Sequence, residues 1–235
     1  MSKYSIITLD EVNSTNAYAL ENFHSLSDCS VIFTSHQNYG RGRYNRKWIS
    51  DDSENIYVTF VLKVHDVNKY PIANLTQYLS VVVCELLEDE FKLKPEIKWP
   101  NDILVNGGKI SGILAESYME NNRIQGVVLG LGLNVNLKKE TIEKIDQKAV
   151  SLSDLKNQNY NVVNILNELV ERFFANYNEF IQEGFSYIKS DYISRCDFLG
   201  KNITIRELNK EKKYLAKSID EEGFLIVNDE LNKEY

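Results

Sequence analysis

The sequence predicts an α+β protein: a larger domain of strands and helices, with a small β unit appended at its C-terminal end. Three observations carry that expectation. Strand-like runs dominate residues 96–136. Two long stretches, 75–91 and 162–182, place apolar residues at helical spacing. Beyond Cys196 the chain changes to short strand-like runs over 202–206, 214–219 and 224–227, with a turn at 220–223. A unit of about 40 residues buries little core alone, so it must lean on the larger domain. The division drawn is 1–185 and 186–235.

The remaining elements follow in order. Residues 4–9 read as a strand. A helix begins at about Ser14, where Ser14-Thr15-Asn16 supplies N-cap chemistry. Residues 30–35 form a short buried strand. The segment 36–52 is rich in Gly, Arg and Asn and almost free of aliphatic side chains, so it reads as a loop that orders around what it binds. Residues 55–64 alternate, placing Ile56, Val58, Phe60, Leu62 and Val64 on one face of a strand. After Gly184 a second helical stretch leads to Cys196.

Length and composition exclude several classes. At 235 residues, and with a domain per roughly 150 residues, the chain holds one to two domains. That length buries a core without disulfide or metal staples. No run approaches the roughly 18 apolar residues of a membrane span. Met1-Ser2-Lys3-Tyr4 leads straight into strand-like sequence rather than a signal peptide. Cys29, Cys84 and Cys196 are odd in number and far from any C-x-x-C spacing. A disulfide framework and a structural zinc site both drop out, which points to a reduced, cytoplasmic protein. The net charge of -7 argues against broad non-specific nucleic-acid binding.

Three segments carry chemistry. In the first, Gly40-Arg41-Gly42-Arg43-Tyr44-Asn45-Arg46-Lys47-Trp48, four cations stand with no acid among them. Glycines between arginines let backbone wrap an anion, and arginine contacts phosphate or carboxylate with two parallel hydrogen bonds. A solvated basic loop or an arginine-rich RNA patch has the same composition. The second runs from Lys98-Trp99-Pro100-Asn101-Asp102 through Asn106-Gly107 to Glu116. Asn106-Gly107 signals a tight turn between two β runs, so this is a hairpin with Lys109 near the start of the returning strand. Alternation puts Ile110, Gly112 and Leu114 on one face and Lys109, Ser111, Ile113 and Ala115 on the other. Asn101-Asp102 after a proline reads equally as turn chemistry and as part of a site. In the third, residues 125–136, Val127, Leu129, Leu131, Leu133 and Val135 make an apolar face. The opposite face, Val128, Gly130, Gly132, Asn134 and Asn136, is nearly bare and then polar. Such a strand is either bulged or the floor of a binding trough.

In their order and spacing these segments resemble the biotin protein ligase family, whose members biotinylate carrier proteins. The family pattern G-R-G-R-x-G-R-x-W is similar to Gly40 to Trp48. K-W-P-N-D followed by G-x-K-x-x-G-I-L-x-E is similar to Lys98 to Asp102 and Gly107 to Glu116. G-x-G-x-N-x-N is similar to Gly130 to Asn136, and S-T-N to Ser14-Thr15-Asn16. Asn45 stands where the family has its third loop glycine, and asparagine tolerates left-handed backbone better than most residues. The resemblance is to the monofunctional type: no winged helix-turn-helix precedes the first strand, so no repressor function is expected.

The resemblance implies a mixed β-sheet flanked by helices, in the manner of class II aminoacyl-tRNA synthetases and biotin synthetases. A small C-terminal SH3-like β-barrel would follow, stopping about one strand early at Tyr235. It implies ATP-dependent formation of biotinyl-5′-AMP, then transfer of biotin to a carrier lysine. Lys109 and Arg43 are the implied catalytic residues. Ser14, Thr15, Asn16, Gln37, Arg41, Gly42, Arg43, Lys109 and Gly112 would bind biotin. Arg43, Arg46, Trp48, Asn101, Lys109, Asn134 and Asn136 would bind ATP; Trp48 reads as a cover for adenine or as core packing. ATP, Mg²⁺ and biotin are the implied cofactors and substrate, with no metal-ligating side chains. The implied partner is the biotin carboxyl carrier domain of a biotin-dependent carboxylase, without DNA or membrane, and homodimerisation stays open. A lipoate ligase of the same fold and a non-catalytic biotin or nucleotide sensor are the alternatives.

Overall fold

The computed structural model describes residues 4–64, 66, 70–207 and 210–235. Seven strands build the main sheet: β1 (Ser5–Thr8), β2 (Ser30–Thr34), β3 (Ile56–Lys63), β4 (Pro95–Lys98), β5 (Asp102–Val105), β6 (Gly108–Glu120) and β7 (Arg123–Leu133). Their order is β1-β2-β3-β7-β6-β5-β4. Only β1 and β2 run parallel; the other neighbours are antiparallel, so the sheet is mixed, as expected. The helices are α1 (Thr15–Glu21), α2 (Leu75–Phe91), α3 (Lys139–Ile142), α4 (Leu152–Lys156), α5 (Val162–Ala175), α6 (Tyr177–Glu183) and α7 (Phe185–Ser194). The tail forms an antiparallel sheet of β8 (Asn202–Glu207), β9 (Lys210–Ile219) and β10 (Leu225–Asn228). No helix among the described residues is long and apolar enough to cross a membrane.

One face of the main sheet carries the large core with α2, α5, α6 and α7. Phe60 of β3 stacks on Phe173 of α5 at 4.1 Å, and Tyr78 of α2 stacks on Phe180 of α6 at 4.3 Å. Each such pair adds about 0.5–1.5 kcal/mol beyond its buried area. The Tyr78 hydroxyl donates to Phe173 O at 2.5 Å, which satisfies the polar end of a buried ring. On the opposite face α1 and the turns that follow it cover only a patch, packing Ala19, Phe23 and Leu26 against Ile32, Val61 and Val128. The rest of that face belongs to the glycines of β6 and β7.

Three sequence readings need correction. The one-sided alternation expected for 55–64 gives way to burial of all of Ile56 to Leu62, because β3 is interior to a sheet covered on both faces. The single helix expected over 162–182 is two, α5 and α6. They part at Asn176, which sits at φ -115° and ψ 13°; asparagine's short amide competes with helical backbone bonding. The face assignment in β6 also fails. The Asn106-Gly107 turn forms as predicted, with both residues at positive φ. Leu104 then pairs with Lys109 and Ile103 with Ser111, leaving Ile110 as an extra residue. A bulge of this kind shifts the alternation by one, so Lys109 shares a face with Gly112 instead of opposing it.

The tail leans on the larger domain as expected. Ile219 is buried and joins the main core. Gln77 Nε2 donates to Gly223 O at 2.7 Å, and Asn74 Nδ2 donates to Glu222 O at 2.8 Å. The start of α2 thus fixes the 220–224 turn.

Candidate active site

The basic segment closes on itself as a short ribbon. Trp48 N–H donates to Gly40 O at 2.9 Å and Gly42 N–H to Arg46 O at 2.7 Å, with Arg41 and Lys47 as antiparallel partners. Its tip is a tight helical turn, Arg43–Asn45, in which Tyr44 adopts the left-handed conformation at φ 55°, ψ 36°. Asn45, at the position of the family's third loop glycine, does not adopt it. The ribbon returns the chain so that Trp48 covers the part of the sheet that α1 leaves bare.

There the glycines explain themselves. A Cβ at Gly132 would lie 2.6 Å from Trp48 Cε2, and one at Gly112 would lie 2.8 Å from Trp48 Cζ3 and 2.9 Å from Lys109 Nζ. A Cβ at Gly130 would collide with Asn16 Oδ1 at 2.1 Å. Gly112 pairs with Gly132, and Leu114 with Gly130, so the three glycines make one floor across β6 and β7. Trp48 packs on this floor rather than in the apolar core. Beneath it Tyr57, paired with Gly132 across β3 and β7, is buried. Burial pushes its phenol up to about 12, so it stays neutral.

Cations and amides stand around the floor. Lys109 Nζ lies 2.7 Å from Asp102 Oδ1 and 5.2 Å from the centre of the Trp48 ring. The Arg43 guanidinium packs 5.3 Å from the Tyr44 ring and reaches Asn101 Oδ1 at 3.4 Å. Asn101 is held in turn, its Nδ2 donating to Ile113 O at 2.9 Å. Arg41 pairs with Glu116 at 3.6 Å. At the other end is a buried polar cluster. Gln37 Oε1 accepts from Thr15 N–H at 2.9 Å. Thr59 Oγ1 lies 2.8 Å from Thr15 Oγ1 and 2.6 Å from Asn16 Oδ1. Asn16 Nδ2 donates to Glu116 Oε2 at 2.8 Å. Ser14 caps α1, its hydroxyl accepting from Ala17 N–H at 3.4 Å.

The fold therefore gathers Thr15, Asn16, Gln37, Arg41, Arg43, Trp48, Asn101, Lys109 and Gly112 on one surface. Asn134 sits behind Lys109, its Nδ2 donating to Val150 O at 3.0 Å. Asn136 stands apart, with both ends of its amide on the Tyr160 backbone at 2.9 Å. Arg46 is exposed on the ribbon. Sequence reasoning missed Tyr57 and Thr59, which lie on the face of β3 away from its predicted apolar side. It quoted Glu116 without giving it a role. Asp102, left undecided, is the partner of Lys109. A cavity of about 250 Å³ opens between Arg43, Trp99, Asn101, Ile113 and the 222–224 turn. Among the described residues no group of three or more His, Cys, Asp or Glu side chains is placed to hold a metal.

One face of the mixed sheet thus carries a glycine floor, a lysine–aspartate pair and an arginine ribbon. The chain belongs to the Biotin/lipoate A/B protein ligase family, whose profile matches residues 9–134. It is 31% identical over 229 residues to the biotin–[acetyl-CoA-carboxylase] ligase of Mycobacterium tuberculosis, covering 93% of this chain and 81% of that protein. It is 30% identical over 227 residues to the same-named ligase of Paracoccus denitrificans, covering 93% and 92%. Its structure is similar to biotin protein ligase from Aquifex aeolicus in complex with biotin and ATP, at a TM-score of 0.82 and 25% identity, covering 98% of this chain and 95% of that one.

Proposed function

We propose that this chain is a biotin protein ligase. It activates biotin with Mg-ATP to biotinyl-5′-AMP, then transfers the biotinyl group to a lysine of the carrier domain of a biotin-dependent carboxylase in the cytoplasm. The observation that carries the reading is the convergence of Lys109 and Arg43 beside a glycine floor that ends in buried amide and hydroxyl groups. In the first step a carboxylate oxygen of biotin attacks the α-phosphorus, the new O–P bond forms, and pyrophosphate leaves. Two anions must meet, so cations held in advance lower the barrier. Lys109, oriented by Asp102, sits at the end of the floor where the carboxylate and α-phosphate would join. Arg43, on the ribbon, closes over the adenylate and excludes water. In the second step the neutral ε-amine of the acceptor lysine attacks the mixed anhydride and AMP leaves. No protein nucleophile is needed.

The polar end of the floor favours biotin over lipoate. Thr15, Asn16, Gln37 and Thr59 offer donors and acceptors that suit a ureido ring. A dithiolane ring has no N–H or carbonyl oxygen to match them, so it gains no hydrogen bond at this end of the site. ATP–pyrophosphate exchange with biotin, with lipoate and with neither acid tests the reading. Exchange that requires biotin is expected. Exchange with lipoate alone assigns the other branch of the family, and no exchange with either leaves a sensor.

A further inference from the structure

The segment between β7 and α4 is anchored at two ends. At the far end it brackets Lys109: Lys109 N–H donates to Lys148 O at 2.9 Å, and Val150 N–H donates to Lys109 O at 3.0 Å. Lys148 Nζ adds a bond to Asn106 O at 2.5 Å, at the turn before β6. At the near end is α3, a single turn whose own capping position, Lys138, supplies no side-chain cap. So short a helix has no stability of its own, and its first N–H groups need outside acceptors. Asp51 ties the turn down from outside, through the N–H of the cap residue and a side-chain hydroxyl. Its Oδ2 accepts from Lys138 N–H at 3.1 Å and from Thr141 Oγ1 at 2.7 Å. Its Oδ1 accepts from Ser53 N–H at 2.9 Å, which fixes the carboxylate. Asp52 adds an ion pair to Lys138 at 2.5 Å. Asp51 follows closely on Trp48, where the arginine ribbon ends.

We propose that Asp51 is a positioning residue that couples the ribbon bearing Arg43 and Trp48 to the segment clamping the Lys109 backbone. One carboxylate thereby sets the two cations relative to each other. The catalytic consequence rests on the adenylation reading above; the coupling does not.

Amide hydrogen exchange on the ligand-free full chain reads the coupling directly. In Asp51→Ala the Lys109 and Val150 amides exchange about tenfold faster, the factor for loss of about 1.4 kcal/mol of local hydrogen bonding. The Phe60 and Leu129 amides, in interior strands, keep their protection. Thr141→Val removes one bond to Oδ2 without touching the ribbon, and accelerates the same two amides by a smaller factor. It also serves if Asp51→Ala does not fold. In biotin-dependent pyrophosphate exchange Asp51→Ala lowers kcat about tenfold while KM for biotin stays within about twofold, because the polar cluster around Thr15 lies outside the coupled segment. Unchanged exchange at Lys109 and Val150 overturns the proposal. So does equal acceleration at all four amides, which marks plain destabilisation. A wild-type chain without biotin-dependent exchange, but with the two amides responding as stated, sinks the adenylation reading and leaves the coupling standing.

Discussion

Replacing Lys109 by alanine is the sharpest test of the chemistry. The ammonium sits 2.7 Å from Asp102, the two side chains being 16% and 20% exposed, and it lies against the face of Trp48. Its position is set by the bulge at Ile110 and by backbone bonds on both sides, so it needs little reorganisation when charge develops nearby. Loss of one such preorganised group costs about 2.7–4 kcal/mol of transition-state stabilisation, or roughly 10²–10³ in rate. The stability penalty is smaller. Removing one partner of a fully buried pair costs about 3–5 kcal/mol, but this pair is partly solvated, and screening brings the cost nearer to about 1 kcal/mol. Biotin-dependent ATP–pyrophosphate exchange, run beside thermal melting, separates the two effects. Lys109→Ala is expected to lower kcat at least about 100-fold with a modest fall in Tm. Lys109→Arg keeps the charge in a different shape and recovers part of the rate. A loss below about tenfold in a folded Lys109→Ala protein would refute the assignment of Lys109 to the developing charge.

Three further outcomes follow from the same geometry. Gly132→Ala forces a methyl within 2.6 Å of the Trp48 indole. It should lower kcat/KM for ATP about tenfold and shift tryptophan emission; unchanged emission would contradict the placement of Trp48. Arg43→Ala should release biotinyl-adenylate into solution in the absence of acceptor, detectable by chromatography, and a normal rate with no free intermediate rejects the closing role. Burial of Asp51 pushes its pKa up, yet hydrogen bonds from Ser53, Thr141 and Lys138 outweigh it and hold the carboxyl below the usual range. A depressed folded pKa stabilises above the unfolded value and is lost as pH falls through the folded one. The Tm difference between wild type and Asp51→Asn should therefore be largest near neutral pH and shrink from about pH 5 toward about pH 2; a constant difference argues against the ionised contact.

Much of the architecture was legible because local pattern and tertiary environment agree. The α2 helix runs Leu75–Phe91, as its apolar spacing predicts. The alternation of β7 separates a core face from a glycine face without a break until its end. The errors fall where neighbours decide. Burial of both faces of β3 depends on α1 crossing the far side of the sheet, and no period within 55–64 encodes that crossing. The bulge at Ile110 depends on how β5 registers against β6, and a one-residue slip reverses every assignment after it.

The sequence by itself determined the backbone character of the segments that the candidate site draws on. Closely spaced arginines and glycines, the Asn106-Gly107 turn and the Gly130 and Gly132 pair of β7 have a physical meaning that survives out of context, because each constrains its own backbone. Only the tertiary structure decided what those segments do to one another. It put Lys109 on the same face as Gly112, made Asp102 its partner, laid Trp48 over Gly132, and brought Thr59 from the middle of β3 to the Thr15 and Asn16 side chains. It also joined Asp51 to Thr141, far along the chain, to stabilise a helix too short to stand alone. Such contacts depend on strand order and register. These are settled by burying the whole sheet at once, not by any window of residues read along the chain.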